Sequence, residues 1–172
     1  MIYVVEMDFR NAEREHDWHT WYLAHTTHLV RTVPGFTGTQ RFRSITPSDS
    51  PWVAIHEVSG PEVFDSREYR SGGGPASTGE WKDLHTNWHR NLFDGAKKSP
   101  SVLMDQHLLM AEGDAPLPRG YESAATRLTG VGLDRTSQRR SIAIVPASKL
   151  TAAMFDLPGV RVLKPITPKI SR

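Results

Sequence analysis

The sequence predicts an α+β protein with the ferredoxin-like order β-α-β-β-α-β, in which two helices cover one face of an antiparallel sheet. Segments rich in β-branched and aromatic residues alternate along the chain with segments whose apolar residues recur every three or four positions. Turns rich in proline, glycine and serine separate these segments. We predict that this domain spans residues 1–113 and that residues 114–172 form a C-terminal extension.

The first strand and the first helix have clear local signals. Residues 2–9, IYVVEMDF, predict a strand because β-branched and aromatic residues dominate them. Asn11 is a suitable N-cap for the helix that follows, since its side chain can accept a hydrogen bond from a free backbone N–H. The helix is expected to run to Val33, because Pro34-Gly35 stops it.

A hairpin and a short helix are expected next. FTGTQRFRSI and PWVAIHEVSG, residues 36–45 and 51–60, predict two strands joined by a turn-rich connection. PEVFDSREYR, residues 61–70, predicts a short helix that begins with proline at its first position. SGGGPASTG, residues 71–79, is expected to be a flexible loop that could close over a pocket.

A second helix and a fourth strand complete the predicted unit. Residues 80–93, EWKDLHTNWHRNLF, show apolar residues at helical spacing. Ser77 and Glu80 have the spacing of a capping box at the start of this helix. Residues 101–113, SVLMDQHLLMAEG, predict the fourth strand because apolar and β-branched residues dominate them.

The extension carries weaker signals. DAPLPRG is expected to be a linker, and RSIAIVP predicts a strand. LPGVRVLKPI is similar to VPGFTGTQRF, because both place a Pro-Gly stop before a predicted strand. A partial second repeat of the domain is therefore one interpretation of residues 114–172, and an unrelated wall of the pocket or of a dimer is another.

Composition excludes several classes of function. The 21 Lys+Arg nearly balance the 19 Asp+Glu, so we expect no nucleic-acid partner. The absence of cysteine excludes disulfides, thiolate nucleophiles and Cys-ligated metals. There is no run of about 20 apolar residues and no signal-peptide pattern, so we expect no membrane association and a cytoplasmic location.

Histidines and aromatic rings share one face of each predicted helix. Residues three, four and seven apart lie on the same side of a helix. In the first helix this places His25 on an aromatic stripe and His28 at its border, whereas His16 and His19 lie off its centre. The second helix carries an equivalent stripe around His85, and His56 lies on the third predicted strand.

These residues suit acid/base chemistry on an aromatic molecule. A neutral imidazole can take up or release a proton near pH 7, so His25 is our candidate general acid/base, with His28, His85 or His56 as a second proton donor or substrate anchor. The candidate substrate-binding residues combine apolar rings with polar tips. They are Trp18, Trp21, Tyr22, Trp81, Trp88, Arg41 and Tyr69. Ordinary core packing is the alternative interpretation for all of these side chains.

We predict no metal and no organic cofactor. His25/His28 and His85/His89 have the i,i+3 and i,i+4 spacing of paired zinc ligands, but a catalytic site needs a third ligand, which Asp17, Glu57 or Asp105 could supply only through the tertiary fold. The glycines of SGGGP lack the preceding strand and the following Lys-Ser/Thr of a phosphate-binding loop.

Both faces of the predicted sheet are apolar. An open antiparallel sheet normally exposes one face to water, so a second subunit is expected to cover it. The expected partners are a second copy of the chain, which forms a homodimer, and an aromatic or polyketide-like small molecule.

Residues 1–95 resemble the EthD-like family of the dimeric α+β barrel superfamily. The resemblance rests on Trp21, Tyr22 and His25, followed by VPGFTGTQRF, WVAIHEVSG, DSREYR and NWHRNLF. It implies that two ferredoxin-like sheets pack face to face across a dimer, with a pocket between helices and sheet in each subunit. His25 lies nine residues before Pro34, one more than the family's usual spacing, and His56 stands where relatives carry an aromatic residue.

The leading hypothesis is a small cofactor-independent enzyme of lyase or isomerase type. It would act on an aromatic or polyketide-like molecule by elimination, decarboxylation, isomerisation or cyclisation. A non-catalytic ligand-binding or accessory dimer and a cofactor-free oxygenase of the same superfamily are the alternatives.

Overall fold

The computed structural model describes the backbone of the chain and all side chains except those of residues 75 and 76. The strands are β1 Ile2–Phe9, β2 Phe36–Ser44, β3 Trp52–Val58, β4 His85–Asp94, β5 Gln106–Glu112, β6 Thr126–Leu133, β7 Arg139–Pro146, β8 Val160–Pro165 and β9 Ile170–Ser171. The α-helices are α1 Glu15–Thr32, α2 Arg67–Gly72 and α3 Ala152–Phe155. Four 3₁₀ segments complete the described secondary structure, at Ala12–Arg14, Pro61–Asp65, Pro75–Leu84 and Ala147–Lys149.

Strands β1 to β8 form a closed antiparallel barrel. Their order is β3-β1-β4-β6-β7-β5-β8-β2, and pairing between β2 and β3 closes the ring. The short strand β9 pairs with β2 next to β8. The protein is therefore a mixed α+β domain built on one eight-stranded barrel.

The strand order of the first half of the barrel repeats in the second half. Strands β1–β4 stand in the order β2-β3-β1-β4, and β5–β8 stand in the order β6-β7-β5-β8. The halves meet where β4 pairs with β6 and β8 pairs with β2. Residues 114–172 thus share a sheet with residues 1–113, and the predicted division between them stays a prediction.

The predicted second helix is wrong at its centre. Residues 85–94 form strand β4, and the predicted fourth strand is β5. Ser77 makes no capping box with Glu80, because its hydroxyl donates to the Gly74 carbonyl at 2.6 Å and Glu80 accepts from Arg14 at 2.7 Å. Pairing of β4 with β1 and β6 satisfies its backbone, which outweighs the local helical pattern.

The first helix is confirmed, whereas the helix predicted over residues 61–70 is divided into the 3₁₀ turn Pro61–Asp65 and α2 Arg67–Gly72. Asn11 caps the 3₁₀ turn that leads into α1, where the Arg14 N–H donates to its side-chain oxygen at 3.2 Å. Helix α1 ends at Thr32, and the following Pro34-Gly35 turn leads into β2. The predicted loop 71–79 is only partly a loop, because α2 extends to Gly72 and a 3₁₀ segment begins at Pro75. The side chains of residues 75 and 76 lie outside the described part, and the flexibility of the segment stays a prediction.

Alternation along the strands separates two faces of the first half. In β1, Tyr3, Val5 and Met7 face α1, whereas Ile2 and Val4 point into the barrel. The barrel interior is filled by side chains from both halves, among them Phe42, Phe93, Leu108, Ile142 and Leu163. Strands β5–β8 of the same chain therefore cover the sheet face that a second subunit was expected to cover. The apolarity of this face no longer supports a homodimer, which stays a prediction.

Charged groups are buried at one end of the barrel interior. Glu6 on β1 is 3% exposed and lies 2.6 Å from Arg140 of β7, and it also pairs with Arg161 of β8. Arg140 in turn contacts Glu112 at 2.8 Å. Because these pairs join β1 of the first half to β5, β7 and β8 of the second, they tie the two halves together.

Gly35 is expected to be intolerant of any side chain. Its φ is +92°, and a Cβ there would lie 2.4 Å from the Val63 methyl group, so Gly35→Ala combines backbone strain with a clash. Gly120→Ala is the matched control, because its φ is +93° and no atom lies within 4 Å of the added Cβ. In urea unfolding, we expect Gly35→Ala to lose at least ~1 kcal/mol more than the control. Equal losses would show that the clash relaxes without cost.

Candidate active site

A cleft lies between the helical layer and the outer face of the first half of the barrel. Its floor comes from β1, β3 and β4, and its walls come from α1, α2 and the segment after α2. The lining residues are Tyr3, Val5, Met7, Trp21, Tyr22, His25, Thr26, Leu29, His56, Tyr69, Gly73, Gly74, Thr78, His85, Trp88 and Arg90. Seven of the predicted site residues therefore meet in one place, and Tyr3 and Arg90 are additions that the sequence analysis missed.

A β-bulge explains how β4 presents His85 to the cleft. Asp8 pairs with Thr86 and Glu6 pairs with His89, so Asn87 and Trp88 together lie opposite Met7 alone. The bulge turns His85 to the same face as Trp88, which strict alternation would not do. Asn87 adopts φ +47°, a left-handed conformation that asparagine tolerates better than most residues.

Helix α1 supplies the upper wall. His25 is half-buried, and its ring stacks on Trp21 with centroids 5.1 Å apart and an 11° angle between planes. Burial, with a smaller contribution from the nearby His28, lowers the pKa of His25 to about 4. His25 is consequently an unprotonated base at neutral pH.

His56 lies on the floor of the cleft. Its side chain is 2% exposed, it stacks on Tyr3 at 5.2 Å, and its Nδ1 is buried without a partner among the described residues. Burial lowers the pKa of His56 to about 3, with smaller contributions from His25 and Arg41. A buried ring nitrogen without a partner is unusual for a purely structural residue.

His85 is held by the core. The Trp18 indole N–H donates to His85 Nε2 at 2.8 Å, and Trp18 itself is fully buried. Burial lowers the pKa of His85 to about 4. Its Nδ1 and the indole Nε1 of Trp88 are both buried without partners among the described residues.

Tyr3, Tyr69 and Arg90 form a polar group at the cleft. The two tyrosine hydroxyls lie 3.4 Å apart, and burial raises the pKa of both phenols. The nearby Arg90 partly offsets the effect of burial on the pKa of Tyr69, and its guanidinium lies 3.4 Å from Asp134. The cleft wall, as far as its side chains are described, contains no Asp or Glu.

Four predicted site residues lie outside the cleft wall. Trp18 is behind it in the core, and Trp81 packs beside Trp21 at 6.0 Å. Arg41 is buried against the Tyr22 ring at 4.2 Å and donates to His19. His28 is exposed and contacts Thr32 at 3.1 Å. Helical spacing alone could not distinguish these positions from the wall.

The described side chains contain no group of three or more His, Asp or Glu residues that could hold a metal ion. His25/His28 and His85/His89 therefore do not gain a third ligand within the described part of the chain. No α-helix there is long and apolar enough to cross a membrane.

The cleft is narrow. The space in it that a water-sized sphere can occupy is about 30 Å³, which admits water but is far too small for an aromatic ring. Trp21, His25, His85 and Trp88 are only partly buried, so they form the mouth that must open for a ring to enter.

His56 should make stability pH-dependent. An unfolded histidine has a pKa near 6.5, whereas that of folded His56 is about 3. The unfolded state therefore binds the extra proton between these values, so stability is full above pH ~6.5 and falls progressively toward pH ~3.

Replacing His56 by Phe is expected to reduce proton uptake on unfolding by up to about one proton near pH 5. The slope of unfolding free energy against pH, measured in urea between pH 4 and 7, gives this number. His16→Ala, which removes an exposed imidazole of α1, is the control. An unchanged slope in His56→Phe would contradict the burial of a neutral ring.

Comparison with known proteins yields a fold but no family. No family model matches the chain, and no curated protein matches it. One solved crystal structure, described as that of an anthrone oxidase-like protein, matches with a TM-score of 0.52 and 10% identity over 99% of this chain and 92% of the other. At that identity the likeness concerns the fold alone.

Proposed function

We propose that this protein is an enzyme that moves a proton on an aromatic small molecule bound in the cleft, with His25 as the base. The observation that carries the proposal is the meeting of three imidazoles in one aromatic cleft whose described lining contains no carboxylate. Burial lowers the pKa of His25 and His85 to about 4 and that of His56 to about 3. All three imidazoles are therefore neutral at pH 7. Nδ1 of His56 and Nδ1 of His85 are buried without partners among the described residues, and packed cores seldom leave ring nitrogens in that state.

The surroundings favour a flat substrate with a polar oxygen. Trp21 and Trp88 offer ring faces, and Tyr69 and Arg90 offer hydrogen-bond donors. A C–H next to an aromatic carbonyl is acidic enough for a histidine base, because the electron pair that is left behind moves to the carbonyl oxygen. Return of the proton at another carbon gives isomerisation, and loss of a neighbouring group gives elimination.

Oxidation by O₂ is a second candidate, favoured by the anthrone oxidase-like structural neighbour. An anthrone is a tricyclic aromatic ketone whose ring CH₂ loses a proton readily. The resulting carbanion can react with O₂, so that the CH₂ becomes a carbonyl and O₂ is reduced to water. His25 would remove the first proton in this reaction as well.

Incubation of the protein with anthrone distinguishes proton transfer alone from oxidation. An oxygen electrode measures O₂ uptake, and absorbance measures the quinone formed. Uptake of one O₂ per quinone formed supports the oxidase. Solvent deuterium incorporation without O₂ uptake supports proton transfer alone. If a panel of aromatic ketones binds but neither exchanges protons nor reacts, the protein is a ligand-binding protein and the proposal fails.

We also propose that the barrel contains two related units. The repeated strand order supports a second ferredoxin-like unit that has lost most of its helices; this unit begins at β5 and therefore includes residues 106–113 as well as the extension 114–172. The EthD-like resemblance, the homodimer and the cytoplasmic location stay predictions. Light scattering on the purified protein tests the homodimer.

A further inference from the structure

We propose that His85 and Trp88 form a two-donor site for one oxygen atom of the ligand, a carbonyl that gains negative charge during the reaction. The inference rests on the proposed function, because it names the substrate chemistry of the same cleft.

The protonation of the His85 ring follows from its contact with Trp18. An indole nitrogen can only donate a hydrogen bond. His85 Nε2, 2.8 Å from Trp18 Nε1, is therefore an acceptor without a hydrogen of its own. A neutral imidazole carries one hydrogen, which must then sit on Nδ1. His85 thus offers an N–H donor at Nδ1, an atom that is buried and without a partner among the described residues.

Trp88 supplies the second donor. Its Nε1 always carries a hydrogen, and it too is buried and has no partner within the described part of the chain. The rings of His85 and Trp88 lie 5.6 Å apart on the wall of the same cleft. Two neighbouring donors without acceptors indicate that the missing group is an acceptor, which excludes a purely donating ligand such as an ammonium ion.

The β-bulge makes this pair possible. Residues 85 and 88 would face opposite sides of a regular strand, but the extra residue at the bulge brings both to the cleft. The Asn87 side chain donates to the Asp49 carbonyl, and the Asn87 carbonyl accepts from Ser50, both at 2.8 Å. These bonds anchor the bulge to the loop between β2 and β3.

The electrostatics of the wall agree with an oxygen that becomes negative. The described lining contains no carboxylate, and its one cation, Arg90, is paired with Asp134 outside the lining. As an imidazole nitrogen of His25 takes the proton from carbon, the C–H electron pair forms a C=C bond and the carbonyl π electrons move to oxygen. Two fixed N–H donors stabilise that oxygen more in the transition state than in the bound ketone.

The first test measures whether the cleft recognises the oxygen. Isothermal titration is carried out with 1-tetralone and with tetralin, which has CH₂ in place of the carbonyl. We expect Trp88→Phe to weaken 1-tetralone binding about 5- to 10-fold, as loss of one hydrogen bond does, and to change tetralin binding less than twofold. Trp21→Phe, which alters a stacking surface on the opposite wall, should change both ligands by the same factor.

Equal effects of Trp88→Phe on both ligands would overturn the proposal, as would wild-type protein that binds 1-tetralone no more tightly than tetralin. A second measurement needs no variant: ¹⁵N NMR of the histidine rings should show His85 at pH 7 with its hydrogen on Nδ1. A hydrogen on Nε2 would overturn the assignment. Because both tests measure binding or protonation, they can succeed even if His25 proves not to be the base.

Discussion

Replacement of His25 by alanine is expected to lower turnover of an aromatic ketone at least ~100-fold, because general-base catalysis typically contributes about 10²- to 10⁴-fold. The ring lies at the mouth of the cleft, stacked on Trp21, and its removal leaves the core beneath intact. Deuterium exchange of the substrate C–H, or O₂ uptake if the oxidase chemistry holds, measures the rate. Circular dichroism and the unfolding midpoint should remain close to wild type.

His28→Ala is the matched control for this experiment. His28 lies on the same helix, but it is exposed and contacts Thr32 outside the cleft. We expect it to change the rate less than about twofold. Similar losses in both variants would mean that helix α1, rather than the His25 imidazole, determines activity, and an unchanged rate in His25→Ala would remove His25 from the mechanism.

The wild-type rate should also depend on pH in a characteristic way. Burial lowers the pKa of His25 to about 4, so the base stays unprotonated down to that value. As long as the enzyme stays folded, kcat/KM should fall as pH decreases through about 4 and not through 6.5. A fall centred near 6.5 would indicate that a histidine outside the buried cleft controls the reaction.

Replacement of Arg140 by methionine is expected to cost about 3 kcal/mol of stability, the lower end of the range for breaking a buried ion pair. Arg140 is 5% exposed and holds Glu6, which is itself almost fully buried. Burial would raise the pKa of Glu6, but Arg140 and Arg161 hold it below its usual value. Methionine fills similar volume without charge, and it leaves Glu6 with Arg161 alone.

Arg139→Met separates this effect from a general loss of positive charge. Arg139 pairs with Asp114 at 2.6 Å, but the two side chains are 60% and 79% exposed, and an exposed pair contributes at most about 1 kcal/mol. Urea unfolding of both variants at pH 7 gives the comparison. Equal and small losses would show that the two halves of the barrel are held by their apolar interior and not by the Glu6 cluster.

Local signals in the sequence were enough for the first part of the fold. Asn11, Pro34 and Gly35 mark the two ends of the first helix through caps and stops that act within a few residues. Strands β2 and β3 follow from β-branched and aromatic runs with a turn between them. Helical spacing also identified His25 and Trp21 as neighbours of the sheet, because positions on one helix have a fixed geometry.

Strand β4 shows where local signals fail. Residues 85–94 carry apolar residues at helical spacing, yet their backbone partners are β1 and β6, which lie far away along the chain. The sequence did group His85 with Trp88, but for the wrong physical reason: a β-bulge, and not a helical turn, brings them to one face. Such a bulge depends on the register between two strands, which no local pattern encodes.

The first strand, the first helix, the hairpin and the position of His25 could be predicted from local sequence, since they depend on contacts within a few residues. Long-range packing places residues 114–172 in the closed barrel of the same chain and brings His56, His85 and Trp88 into one cleft with His25. It also determined which ring nitrogens remain without partners. These features depend on strand pairing and on burial, which arise only when distant segments of the chain pack together.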